Sequence, residues 1–77
     1  MIRAYIEDFK GFFDAMHAKG LSPKTLSAAL CRGEFYIENI INAGRCPHQA
    51  ASEIAAALDI KPSSIFKFEE VERHGKA

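Results

Sequence analysis

The chain lacks most of the patterns that announce a chemistry. It holds only two cysteines, Cys31 and Cys46. That is too few for a disulfide framework, so a reducing cytoplasm is the expected compartment. Its wholly apolar runs are a few residues long, so neither a membrane span nor a secretory leader is expected. There is no Gly-rich phosphate loop, no nucleophile motif and no pair of carboxylates placed for acid–base work, so an enzyme is not expected. Net charge is absent too, with 10 basic residues against 10 acidic ones. That counts against nucleic-acid binding, whose affinity comes largely from neutralised phosphates.

What is present describes a small folded domain. Seventy-seven residues allow one core. An apolar fraction of 48% beside 26% charged residues is globular rather than disordered. A second copy or a partner would help a domain this small. The zero net charge also hides a bias. From Lys19 to His48 the chain carries Lys19, Lys24, Arg32 and Arg45 against Glu34 and Glu38, an excess of two, while each flanking segment is net negative by one.

Hydrophobic spacing predicts helices throughout. Ile2, Ile6, Phe9, Phe13 and Met16 recur at helical intervals, with Tyr5 and Phe12 beside them, so residues 2–18 read as a first helix with its aromatics in the core. Gly20 is its stop. Ser22 is a good N-cap and Pro23 a good first residue for a second helix over 23–30. Cys31-Arg32-Gly33 interrupts. A third helix runs from about Glu34 to Asn42, with Ile37, Ile40 and Ile41 inward and Gly44 as its stop. Pro47 opens a fourth, lined by Ala50, Ala51, Ile54, Ala55 and Leu58, and Pro62 opens a short fifth over 61–66. The expected architecture is therefore all-α with five helices in a domain over 1–66. Residues 67–77 form a charged tail in which Phe68 and Val71 are conspicuously apolar.

A helix, a tight turn and a second helix make the unit whose second helix can enter a DNA major groove. The Leu21-Ser22 start, Leu26 and Leu30, Ile37 and Ile40, the run Ile54-Ala55-Ala56-Ala57-Leu58-Asp59-Ile60 and the ending Ser63-Ser64-Ile65-Phe66 resemble the phage repressor and Cro superfamily of DNA-binding domains, short Ner-like phage regulators included. The resemblance implies a five-helix lambda-repressor-like fold and a sequence-specific transcription regulator that binds double-stranded DNA as a homodimer. It implies base contacts from Gly33, Glu34, Phe35, Glu38, Asn39 and Asn42. Phosphate contacts would come from Ser22, Lys24, Thr25, Arg45 and His48, with Arg32 a further cation in reach. Asn39 and Asn42 suit an adenine edge, the glutamates only a cytosine amino group, and Phe35 a thymine methyl.

The chain departs from that family at the turn. Cys31 stands where glycine is usual, in a left-handed position that strains a side chain. Arg32 stands where an apolar residue is usual. Either its stem packs while the guanidinium escapes, or the turn is shifted by one residue and Gly33 supplies the permissive backbone. Phe66, Phe68 and Val71 are the expected dimer surface. Cys31, Cys46, His17, His48 and His74 suggest zinc, but Cys46-Pro47-His48 is closer than usual ligand pairs and no second pair has metal spacing, so neither metal nor cofactor is expected. Two glutamates on the third helix, with Phe35 and Tyr36 at its start, suit an alternative: a protein-binding adaptor, antirepressor or antitoxin-like module on the same fold.

Overall fold

A computed structural model describes residues 2–70. The chain runs β1 (Ile2–Ile6), α1 (Phe9–Ala18), α2 (Pro23–Ala29), α3 (Tyr36–Ala43), β2 (Arg45–Pro47), α4 (His48–Leu58), a 3-10 turn (Pro62–Ser64) and β3 (Phe66–Glu70). The strands form one antiparallel sheet in the order β2-β1-β3. This overturns the all-α, five-helix expectation: the domain is mixed α/β.

The first correction falls on residues 2–18. Ile2-Arg3-Ala4-Tyr5-Ile6 also alternates with period 2, and the strand's pleat separates its two sets of side chains. Ala4 and Ile6 are buried on one face, while Arg3 and Tyr5 are half-buried on the other. Asp8 then stops the strand and starts a helix. Its carboxylate accepts from the Gly11 amide at 2.8 Å as an N-cap. Of the four aromatics expected in the core, only Phe12 is buried; Phe9 and Phe13 are 43% and 41% exposed. The true helix buries Phe12 and Met16, four apart. Gly20 does end it in the left-handed region, at φ +68°.

The second correction falls on 61–66. Pro62 starts only a single 3-10 turn, with the Ser64 hydroxyl bonded to the Lys61 carbonyl at 2.6 Å. Phe66 and Phe68 then belong to β3, which pairs along β1 from Ile6↔Phe66 to Ile2↔Glu70. Residues 67–70, expected in a charged tail, are thus sheet. Smaller shifts follow from capping. Leu30 is the cap of α2 rather than its last residue, α3 begins at Tyr36, and Pro47 is the extended N-cap of α4.

One core joins sheet and helices. Ala4, Ile6, Cys46 and Phe66 come from the strands, Phe12 and Met16 from α1, Leu26 from α2, Ile37 and Ile40 from α3, and Ala50, Ala51, Ile54 and Leu58 from α4. The alanines of α4 let its backbone lie close against the sheet and α2. No helix among the described residues is long and apolar enough to cross a membrane.

Candidate nucleic-acid interface

The turn between α2 and α3 stands at the centre of this surface, and it takes one of the two registers that the sequence leaves open. Cys31 has φ +59°, the left-handed conformation that lets the chain leave α2 and re-enter as α3. Gly33 does not adopt that conformation, so the turn is not displaced by a residue. Ser27 fastens the two helices. It is wholly buried, its hydroxyl donates to the Pro23 carbonyl at 2.8 Å and accepts from the Ile37 amide at 3.0 Å. The Ile37 amide belongs to the first turn of α3, where donors have no partner within the helix. One hydroxyl therefore fixes where α3 starts relative to α2. The Ser27 carbonyl also accepts from the Arg32 amide at 2.9 Å. No sequence motif marks these hydrogen bonds of Ser27.

The turn is not shifted at Arg32, whose side chain remains 45% exposed. Its guanidinium bonds Glu53 of α4 at 3.1 Å and lies 5.1 Å from the centre of the Tyr36 ring. The Glu53 hydrogen bond and charge push its pKa further up. This links the turn to α4 through a half-exposed pair, which a phosphate could displace. Tyr36 is half-buried beneath Arg32, and burial raises its phenol's pKa.

The base-contact candidates divide. Glu34 and Phe35 precede α3 in the turn, and Phe35 is 59% exposed. Glu38, Asn39 and Asn42 are exposed on α3, which forms a ridge between two grooves. On one side Asn39 lines a cleft of about 440 Å³ with Arg32, Tyr36, Arg45, Gln49 and Glu53. On the other, Glu38 and Asn42 border a groove with Phe13, Pro23 and Ile41. The structure thus brings Asn39 and Arg45 together and sets Glu38 and Asn42 apart from them. Gln49 joins the first group from the start of α4. No sequence motif marks it.

The phosphate candidates differ in availability. Ser22 and Thr25 cap each other: the Ser22 amide donates to Thr25 Oγ1 at 2.7 Å and the Thr25 amide to Ser22 Oγ at 3.2 Å. Lys24 lies 3.5 Å from Glu34, both well exposed, so the pair is weak and exchangeable. Arg45 and His48 are exposed on either side of Pro47. The α4 N-terminus beside them has no side-chain cap.

The dimer candidates differ as well. Phe66 is buried in the chain's own core, its ring 6.0 Å from that of Phe12, and so does not offer its side chain to a second copy. Phe68 is 38% exposed. Val71 lies outside the described residues, as does His74. Among the described residues no three His, Cys, Asp or Glu side chains are grouped to hold a metal. Cys31 and Cys46 are both free, and burial pushes the Cys46 thiol up to about 11.

No family model, no curated protein and no solved structure matches this chain.

Proposed function

We propose that this protein is a sequence-specific DNA-binding transcription regulator that acts as a dimer and places α3 in the major groove. The observation that carries this is the α2–turn–α3 unit. Ser27 locks it, Cys31 turns it in the left-handed region, and Leu26, Ile37 and Ile40 bury its inner side. That leaves Asn39 exposed beside Arg45 on one flank of α3 and Asn42 exposed on the other, with His48 exposed at the start of α4. A short helix held by these bonds is suited to base edges, and Arg45, the His48 imidazole and the uncapped α4 N-terminus are suited to phosphates. The carrier differs from the all-helical domain the resemblance implied, since it also carries a three-stranded antiparallel sheet.

A second reading is supported by a different observation. Phe13 and Ile41 border a groove beside Glu38 and Asn42, and Phe35 is largely exposed. With Lys24 beside Glu34 and Arg32 held by Glu53, this surface also suits a protein partner. Selection of bound sites from random double-stranded DNA at two salt concentrations separates the readings. The DNA reading expects an enriched motif whose affinity falls steeply with salt. In Asn39→Ala the motif should lose preference at one base position, by about 1–3 kcal/mol. No enrichment at either salt concentration would leave the protein-binding reading.

A further inference from the structure

The open edge of the sheet carries a pattern that fits itself. β1 has β2 on one side and β3 on the other, so β3 forms an edge. No described strand covers that edge. Hydrogen bonds fix which groups of β3 face it. The Glu7 amide donates to the Ile65 carbonyl at 2.8 Å, and the Ile6 amide to the Gly44 carbonyl at 2.9 Å. The odd residues of β1 therefore bond towards β3 and the even ones towards β2. In an antiparallel ladder the bonding side alternates along each strand. With Tyr5↔Lys67 and Arg3↔Glu69 in register, Lys67 and Glu69 turn their backbone groups towards β1. Phe66 and Phe68 turn theirs towards the open edge.

We propose that β3 pairs antiparallel with β3 of a second copy of this chain, centred on Phe68, so that two three-stranded sheets join into one of six strands. In this register Phe68 meets Phe68 as a hydrogen-bonded pair, and the backbone groups facing the edge are the ones that form it. Lys67 of each copy falls opposite Glu69 of the other, in the close pairs that carry no hydrogen bond between them. Centring the pair on Lys67 would set lysine against lysine, and centring it on Glu69 would set glutamate against glutamate. Of these three centres the charges select Phe68, where edge charges more commonly keep copies apart. Within one copy Lys67 and Glu69 are 3.6 Å apart and exposed, so they can exchange partners at little cost.

The apolar surface supports the same centre. Ile2 and Phe68 lie on the face of the sheet that carries Ala4, Ile6 and Phe66, by the strand alternation and the register Ala4↔Phe68. Yet they are 42% and 38% exposed, because the row runs on past the core. A second Phe68 across the two-fold axis covers the overhang.

This deepens the dimer in the function proposed above, but its test uses no DNA, so failure to pair and failure to bind DNA are read separately. Sedimentation of the full chain should show a dimer. Lys67→Glu and Glu69→Lys alone should each weaken dimerisation about tenfold or more, since each sets like charges opposite one another twice. An equimolar mixture of the two variants should recover dimer, as should the double variant Lys67→Glu/Glu69→Lys. Circular dichroism of each variant controls for folding. A monomeric parent, single variants as dimeric as the parent, or no recovery in the mixture would each overturn the pairing.

Discussion

The α2–α3 unit and the sheet share one core but are closed in different ways. In the unit, the bonds that set the geometry reach no more than 10 residues along the chain: Ser22 with Thr25, Ser27 with Pro23, and Ser27 with Ile37. The sheet brings together opposite ends of the described chain, Ile6 with Phe66 and Ile2 with Glu70. Closing such a long loop costs entropy before any pair forms, and the return comes from burial. The difference separates two tasks. The unit holds an exposed helix at a fixed angle by its own hydrogen bonds. The sheet holds the domain together by placing Ala4, Ile6, Cys46 and Phe66 beneath the helices.

If the sheet carries the stability, its buried aromatic is the place to break it. Phe66 is 2% exposed and packs against Phe12. Phe66→Ala should cost about 3–5 kcal/mol, most of what a small domain has. The thermal midpoint should fall far enough to leave the variant partly unfolded at room temperature. A midpoint within a few degrees of the parent would show that the helices hold the fold without β3.

The next effect is alkaline and belongs to β2. Burial pushes the Cys46 thiol from its ordinary value of 9.0 up to about 11. Below pH 9 both folded and unfolded chains keep the proton, and the contribution is whole. Between 9 and 11 the unfolded chain releases it while the folded one does not, so stability falls as pH rises. The full loss is on the order of 2–3 kcal/mol. Denaturant titrations across this range should slope more steeply for the parent than for Cys46→Ala. Equal slopes would mean that the thiol titrates alike in both states.

How far each region can be read from the sequence follows from the same contrast. Ser22, Pro23 and Gly20 each act within a turn of their own position, and the caps they predict are the caps observed. The sequence left the left-handed position open between Cys31, where the resemblance puts it, and Gly33, and the structure has it at Cys31. β1 had no such local marker. Ile2, Ile6 and Phe9 fit a helical spacing as well as Ile2, Ala4 and Ile6 fit a strand, and only the partner strands decide. The usable signal was Asp8, whose N-cap requires a helix to begin at Phe9. Phe68 had one too: lysine and glutamate alternating with phenylalanine is a strand pattern. The cleft at Asn39, Arg45 and Gln49 could not be read, because it depends on how α4 leaves β2.

Within the unit, Ser27 is the point where the short-range bonds meet. Ser27→Ala keeps the size small but leaves the buried Ile37 amide without its acceptor. The expected cost is on the order of 2 kcal/mol, less than that of Phe66→Ala, with the loss showing first as faster hydrogen exchange at the start of α3. Unchanged exchange there would mean that the hydroxyl is not what fixes α3.

The smallest effect should be a gain, and it checks the turn directly. Cys31 pays for its left-handed backbone with roughly 1–2 kcal/mol of strain. Glycine removes that strain but adds about 0.5–1 kcal/mol of unfolded-state freedom. Cys31→Gly should therefore stabilise the protein by somewhat under 1 kcal/mol, a rise of a few degrees in the thermal midpoint. Gly33→Ala is its counterpart. Glycine's freedom is not used at 33, and a Cβ there meets nothing within 4 Å, so the change should be neutral or slightly stabilising. The two variants together decide the register of the turn. A loss at Gly33→Ala with no gain at Cys31→Gly would place the left-handed residue at Gly33 and move the start of α3 with it.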